Sequence, residues 1–235
     1  MYYSANTVRF SGNRCRGAGF TRADLLAVVA SATLLAALVV VSTTVIHNRQ
    51  RLSICRSNLQ QVGRPILLYA ADNTETLPGP TIGQGGDFWW WYKEKVKRYV
   101  GLSGSSSSND SLFACPLDRG YSDLRPFCKA ERFDYGSYVF NGVTLPGMPN
   151  IARWKVSSIN QPQPTLLVME WAAHAPLSWH RSKTGKANAP FYRDAESVVA
   201  FADGHVSFTK MYYDGYNAAY TRDPIPGYDY KYSGD

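Results

Sequence analysis

The sequence predicts an α+β fold, in which one long N-terminal helix is followed by a small antiparallel-sheet head. Three observations carry this: an uncharged run from Leu25 to Ile46, a helical apolar stripe directly after it, and strand-like runs ending in a hairpin signal at Asp203-Gly204. The 235 residues allow one large domain or two small ones, and 45% apolar residues exclude wholesale disorder. Charged residues reach only 18%, below the roughly 25% of an ordinary soluble domain, while 14% are aromatic. A net charge of +7 falls short of a dedicated nucleic-acid binder. Four cysteines, Cys15, Cys55, Cys115 and Cys128, form no CxxC pair, which excludes a zinc ribbon or a thioredoxin-type site.

Leu25 to Ile46 holds 22 residues, 17 of them Leu, Val, Ile or Ala. As a helix this run rises about 33 Å, one bilayer crossing, and its apolar residues surround the whole helix. Residues 1–19 carry Arg9, Arg14 and Arg16 and no acid, as expected of a segment held on the cytoplasmic side. The small residues Gly17-Ala18-Gly19 precede the apolar run, whereas a secretory signal has them after it. Beyond the span, Leu52, Cys55, Leu59 and Val62 fall three and four apart, so the helix continues with one stripe for a globular head. Pro65 predicts a kink or break near Gly63-Arg64.

Gly19-Phe20-Thr21-Arg22-Ala23-Asp24-Leu25-Leu26 resembles the leader junction of type IV prepilins and pseudopilins. The resemblance implies that a prepilin peptidase cuts between Gly19 and Phe20 and methylates the new N-terminus. It implies a pilin-like layout: leader 1–19, long helix 20–75 with its membrane-spanning or filament-core part at 20–47, and head 76–235. Asp24 stands where most members have Glu, and the resemblance implies that its carboxylate meets the N-terminal amine of a neighbouring subunit. A carboxylate at the edge of an apolar span needs such a partner, and pairing favours addition in correct register.

The segment after the span is similar to a prepilin subgroup, the H-x9-DG type, in Cys55, Asn58-Leu59, Gln61, Gly63 and the run Tyr69-Ala70-Ala71-Asp72-Asn73. Leu112-Phe113-Ala114-Cys115-Pro116-Leu117-Asp118 resembles a strand end of the same subgroup, and Phe201-Ala202-Asp203-Gly204-His205-Val206 its closing motif. Ten residues before Asp203 this chain has Arg193, with His180 further upstream. In the exported protein that the resemblance implies, Cys115 and Cys128 face oxidising conditions, and their closeness in sequence makes them the expected disulfide.

In the head, Phe88-Trp89-Trp90-Trp91-Tyr92 followed by Lys93, Lys95, Lys97 and Arg98 predicts a short amphipathic helix with a basic side. Trp89, Trp90, Trp91 and Lys93 form a possible ligand surface for carbohydrate or single-stranded nucleic acid. The favoured reading is that the tryptophans pack the head and the lysines are solvated. Strand-like runs cover Tyr135–Phe140, Thr165–Met169, Ser197–Ala202 and His205–Lys210. A two-residue turn at Asp203-Gly204 would place Val199 and Phe201 beside Phe208 and Val206 on one face for the helix, the other face being for solvent.

Glu170, His174 and His180 can be drawn as metal ligands, but they lack the helical spacing of a zincin, and no metal site is assigned. Hydrolase, NTPase and dinucleotide motifs are lacking, and an enzyme is not expected. Asp214, Asp223, Asp229 and Asp235 could offer oxygen to calcium without a calcium-loop spacing. The expected function is a structural subunit of a type IV pilus-like or type II secretion pseudopilus filament. Its expected partners are copies of itself, the peptidase, the membrane before assembly and the inner-membrane assembly machinery, and its expected place is the inner membrane and then a periplasmic or extracellular filament. The alternatives are a minor pseudopilin that binds carbohydrate, DNA or a secretion substrate, and a membrane-anchored exported enzyme.

Overall fold

A computed structural model describes residues 19–80, 91–120, 125–142, 147–173, 178–180, 195–212 and 223–235. Helix α1 spans Arg22–Asp72, and contacts divide the chain into two units, Met1–Ile46 and His47–Asp235. In the first unit every described side chain of α1 is exposed. In the second, Cys55, Leu59, Val62, Ile66 and Ala70 are fully buried, the three-and-four spacing read from the sequence carried on for two more turns.

The break expected at Pro65 does not occur. Val62, Gly63, Pro65 and Ile66 are all buried, and a Cβ built on Gly63 would stand 3.6 Å from Ala200 Cβ and 3.8 Å from Val168 Cγ1. Packing of this close-lying turn against a sheet holds the helix together where one missing N–H would loosen it. The helix ends as Asn73 Nδ2 donates to the Tyr69 carbonyl at 2.7 Å, and Thr74 and Glu75 then take positive φ.

Four antiparallel strands, β1 (Tyr138–Phe140), β2 (Leu166–Glu170), β3 (Glu196–Phe201) and β4 (Val206–Lys210), lie in the order β1-β2-β3-β4. All four runs were legible as strands, but the hairpin register differs from expectation by one residue. Val198 pairs with Phe208 and Ala200 with Val206, so these share one face, while Val199 pairs with Ser207 on the other. The turn contains three residues, not two: Gly204 N donates to the Phe201 carbonyl at 2.9 Å, and Phe201 N to the His205 carbonyl at 3.0 Å. Gly204, at φ +90°, supplies the left-handed residue that this longer loop needs.

Both faces are covered. Phe140, Val168, Ala200 and Val206 line up across the sheet toward α1, and Val139, Met169 and Val199 line up on the opposite face. Every one of these is buried, so the expectation of a solvent face is corrected: β3 is central and packed on both sides.

Candidate functional site

The described N-terminal segment begins with Gly19 and Phe20, both exposed. Thr21 and Asp24 form a reciprocal cap: Thr21 N and Thr21 Oγ1 donate to Asp24 Oδ2 at 2.9 and 2.7 Å, and Asp24 N donates to Thr21 Oγ1 at 3.2 Å. This is the capping-box arrangement, which satisfies the Thr21 and Asp24 N–H groups at the helix start and sets the acid at the positive helix end. The role was not read from the sequence, although Thr-x-x-Asp before an apolar run is its signature. The two bonds that Asp24 accepts both fall on one of its oxygens, Oδ2. Deeper in the run, Ser31, Thr33, Ser42 and Thr43 donate their hydroxyls to carbonyls three or four residues back, so even the polar side chains are satisfied inside the helix. This helix is long and apolar enough to cross a membrane.

In the second unit the disulfide joins Cys55 to Cys115, across 60 residues, and Cys128 is a buried free thiol. The expected Cys115–Cys128 bridge is thereby corrected. The Cys115 segment is tied to α1 instead: Asn58 Nδ2 donates to the Ala114 carbonyl at 2.9 Å, and Tyr138 Oη to the Cys55 carbonyl at 3.3 Å. Cys128 instead offers its backbone N–H to Asp118 Oδ2 at 3.0 Å, in a knot that also contains Ser137 Oγ and the Gly120 amide. Burial, with the Asp118 charge beside it, pushes the Cys128 thiol up to about 11, which leaves it a poor nucleophile.

Beside the disulfide lies a buried acid–imidazole pair. Glu170, at the end of β2, places Oε1 2.7 Å from His180 Nε2, and its Oε2 accepts the Val198 amide at 2.9 Å. Both side chains are almost fully buried, and His180 Nδ1 has no hydrogen-bond partner among the described residues. Residues 178–180 are held by Arg119, which donates to the Trp179 carbonyl at 3.0 Å, and by Trp179 Nε1, which donates to the Gly120 carbonyl at 3.0 Å. A cavity of about 470 Å3 opens alongside, lined by His180, Trp179 and the arginines Arg49, Arg51 and Arg119. Thus two of the three residues drawn as ligands meet, Glu170 and His180; His174 lies outside the described residues. The helical spacing rule missed the pair because it is built from a strand end and a coil, not from one helix.

The aromatic-basic segment forms a short helix as expected, but two of its lysines are buried. Trp89 and Trp90 lie outside the described residues, and Trp91 packs edge-on against Phe140 with ring centres 5.7 Å apart. Helix α2 (Tyr92–Val96) buries Lys93, whose Nζ pairs with Asp110 at 2.9 Å and donates to the Asp134 carbonyl at 2.6 Å. Lys97 is likewise buried and paired with Glu94 at 2.6 Å. These two ammonium groups are internal, neutralised by Asp110 from the following loop and by Glu94 of α2 itself, and the reading of solvated lysines is corrected at Lys93 and Lys97. In the tail, Asp214 lies outside the described residues, and the Asp223 carboxylate accepts the Tyr232 and Ser233 amides at 2.6 and 2.9 Å. Comparison with family models, with curated proteins and with solved structures finds no match.

Proposed function

We propose that the chain is a structural subunit of a type IV pilus-like or type II secretion pseudopilus filament, exported, cut after Gly19 and assembled through its N-terminal helix. One observation carries the reading: from Arg22 to Ile46 an all-round apolar helix has its described side chains exposed, while the second unit closes a core of its own. A helix apolar on every side has to be covered by lipid or by other helices. Exchange of one cover for the other is the step that turns a membrane-held precursor into a polymer, with close side-chain packing favouring the protein contacts. The resemblance of residues 19–26 to a prepilin junction supports the cut that would create an amine at Phe20.

Asp24 then has two tasks. Its Oδ2 caps the helix start through Thr21, and its second oxygen is left to meet the amine of a neighbouring subunit. Asp24→Asn separates them, since the amide oxygen still caps while the charge is gone. The expected result, read by electron microscopy of sheared filaments, is loss of assembly in Asp24→Asn and assembly in Asp24→Glu. Filaments from Asp24→Asn at the wild-type level would contradict the pairing.

A further inference from the structure

We propose that Cys55, Cys115, Glu170 and His180 form, once the disulfide is reduced, a tetrahedral site for a divalent metal ion of the zinc class. The joint between α1 and the sheet then has two mutually exclusive locks, a covalent bond and a metal ion.

One donor atom from each of the four residues lies within 4.8 Å of the others. They converge from four places: Cys55 from the buried stripe of α1, Cys115 from the coil held by Asn58, Glu170 from the end of β2 and His180 from the coil held by Arg119. Two thiolates, an imidazole and a carboxylate are a donor set that zinc and cobalt(II) take in tetrahedral geometry, with metal–sulfur distances of about 2.3 Å and metal–nitrogen or metal–oxygen distances of about 2.0–2.2 Å. Donors around one such ion stand about 3 to 4 Å apart, so the cluster is of the right size.

A second, independent feature points to a ligand. Among the described residues, His180 Nδ1 is buried without a hydrogen-bond partner, and Glu170 is a fully buried acid whose only side-chain partner is His180. Hydrogen bonding thus leaves the imidazole half used, in a place where an unused polar atom is costly. Three arginines line the cavity that reaches His180, which gives a route to the imidazole of the cluster. Two thiolates and one carboxylate around a divalent ion leave a net charge of −1, which the arginines offset.

The chemistry balances. A dithiol reduces the Cys55–Cys115 bond, giving two thiols and itself becoming a disulfide. Metal binding then replaces the two thiol protons, which go to solvent. While the disulfide is intact, the sulfurs are bonded to each other and hold no ion.

The test uses the full chain in detergent micelles, reduced by a water-soluble phosphine that leaves as its oxide, and then titrated with cobalt(II) without oxygen. The expected result is one cobalt per reduced chain, with thiolate charge-transfer absorption and the d–d bands of a tetrahedral ion, and no such spectrum from the oxidised chain. Glu170→Gln and His180→Gln weaken cobalt binding at least about tenfold. His205→Ala, an exposed histidine outside the cluster, leaves it unchanged. Far-UV and near-UV circular dichroism of the same samples follows the fold. A folded reduced chain that binds no cobalt overturns the proposal, as does a spectrum without thiolate bands or equal binding by Glu170→Gln and His180→Gln. A reduced chain that unfolds and is not restored by the metal overturns it as well.

Discussion

The two parts of α1 use the same backbone for opposite ends. Between residues 22 and 46 the helix is apolar all round and Leu35 is 63% exposed, whereas between 47 and 72 it carries one stripe and Leu59 is 0% exposed. Helix propensity does not separate them, since Leu, Ala and Val recur in both. What separates them is who completes the packing: the second part meets its own sheet, and the first has a surface that the described residues leave exposed.

That comparison can be broken at several points, all read as unfolding of the full chain in detergent. The largest effect is expected from reducing Cys55–Cys115 without divalent metal, because the bond closes a loop of 60 residues. A loop of that length corresponds to roughly 4 kcal/mol in the chain-entropy account. Loss of under about 1 kcal/mol would mean that the joint is held by packing alone. Next comes Leu59→Ala, expected to cost about 3 kcal/mol by emptying a fully buried site, with Leu35→Ala staying within about 0.5 kcal/mol. Equal costs would erase the distinction between the two parts of the helix. Lys93→Met leaves Asp110 without its buried cation and is expected to cost about 2 kcal/mol, while Lys210→Met on the exposed end of β4 costs almost nothing.

A smaller effect appears as a slope against pH. Burial pushes the Asp118 carboxyl above its usual value, against the hydrogen bonds from Gly120, Cys128 and Ser137 that work to lower it. The folded chain therefore keeps a proton there in a range where the unfolded chain has lost it. Stability from this group is greatest below the unfolded value and falls as pH rises through the raised one. Asp118→Asn should flatten this segment of a stability-against-pH curve, and an unchanged slope would assign it to another group.

Much of this was legible in the chain. The stripe of Leu52, Cys55, Leu59 and Val62 named the buried face of α1 because helical period is local, and the four strands showed as β-rich runs between turns. The uncharged run of 22 residues was equally plain. The disulfide was not legible, because closeness along the chain favoured Cys128 while folding brings Cys115 to α1. The hairpin register hid in one residue, Ala202, which joins the loop rather than the strand. Lys93 looked solvated because its partner Asp110 is brought in by the fold of the following loop, whereas the Glu94–Lys97 pair is a local i, i+3 contact and only the burial of Lys97 was hidden. The Glu170–His180 pair was half visible, since its two residues were noted but their meeting depends on how the coil at 178–180 crosses the end of β2.

The central claim is that the first part of α1 is made to be covered by other copies after a cut at its start. Mass spectrometry of the intact assembled protein recovered from its own cells tests this most directly. The account predicts a chain beginning at a methylated Phe20, with residues 1–19 gone. A chain that retains residues 1–19 in the assembled protein would contradict it.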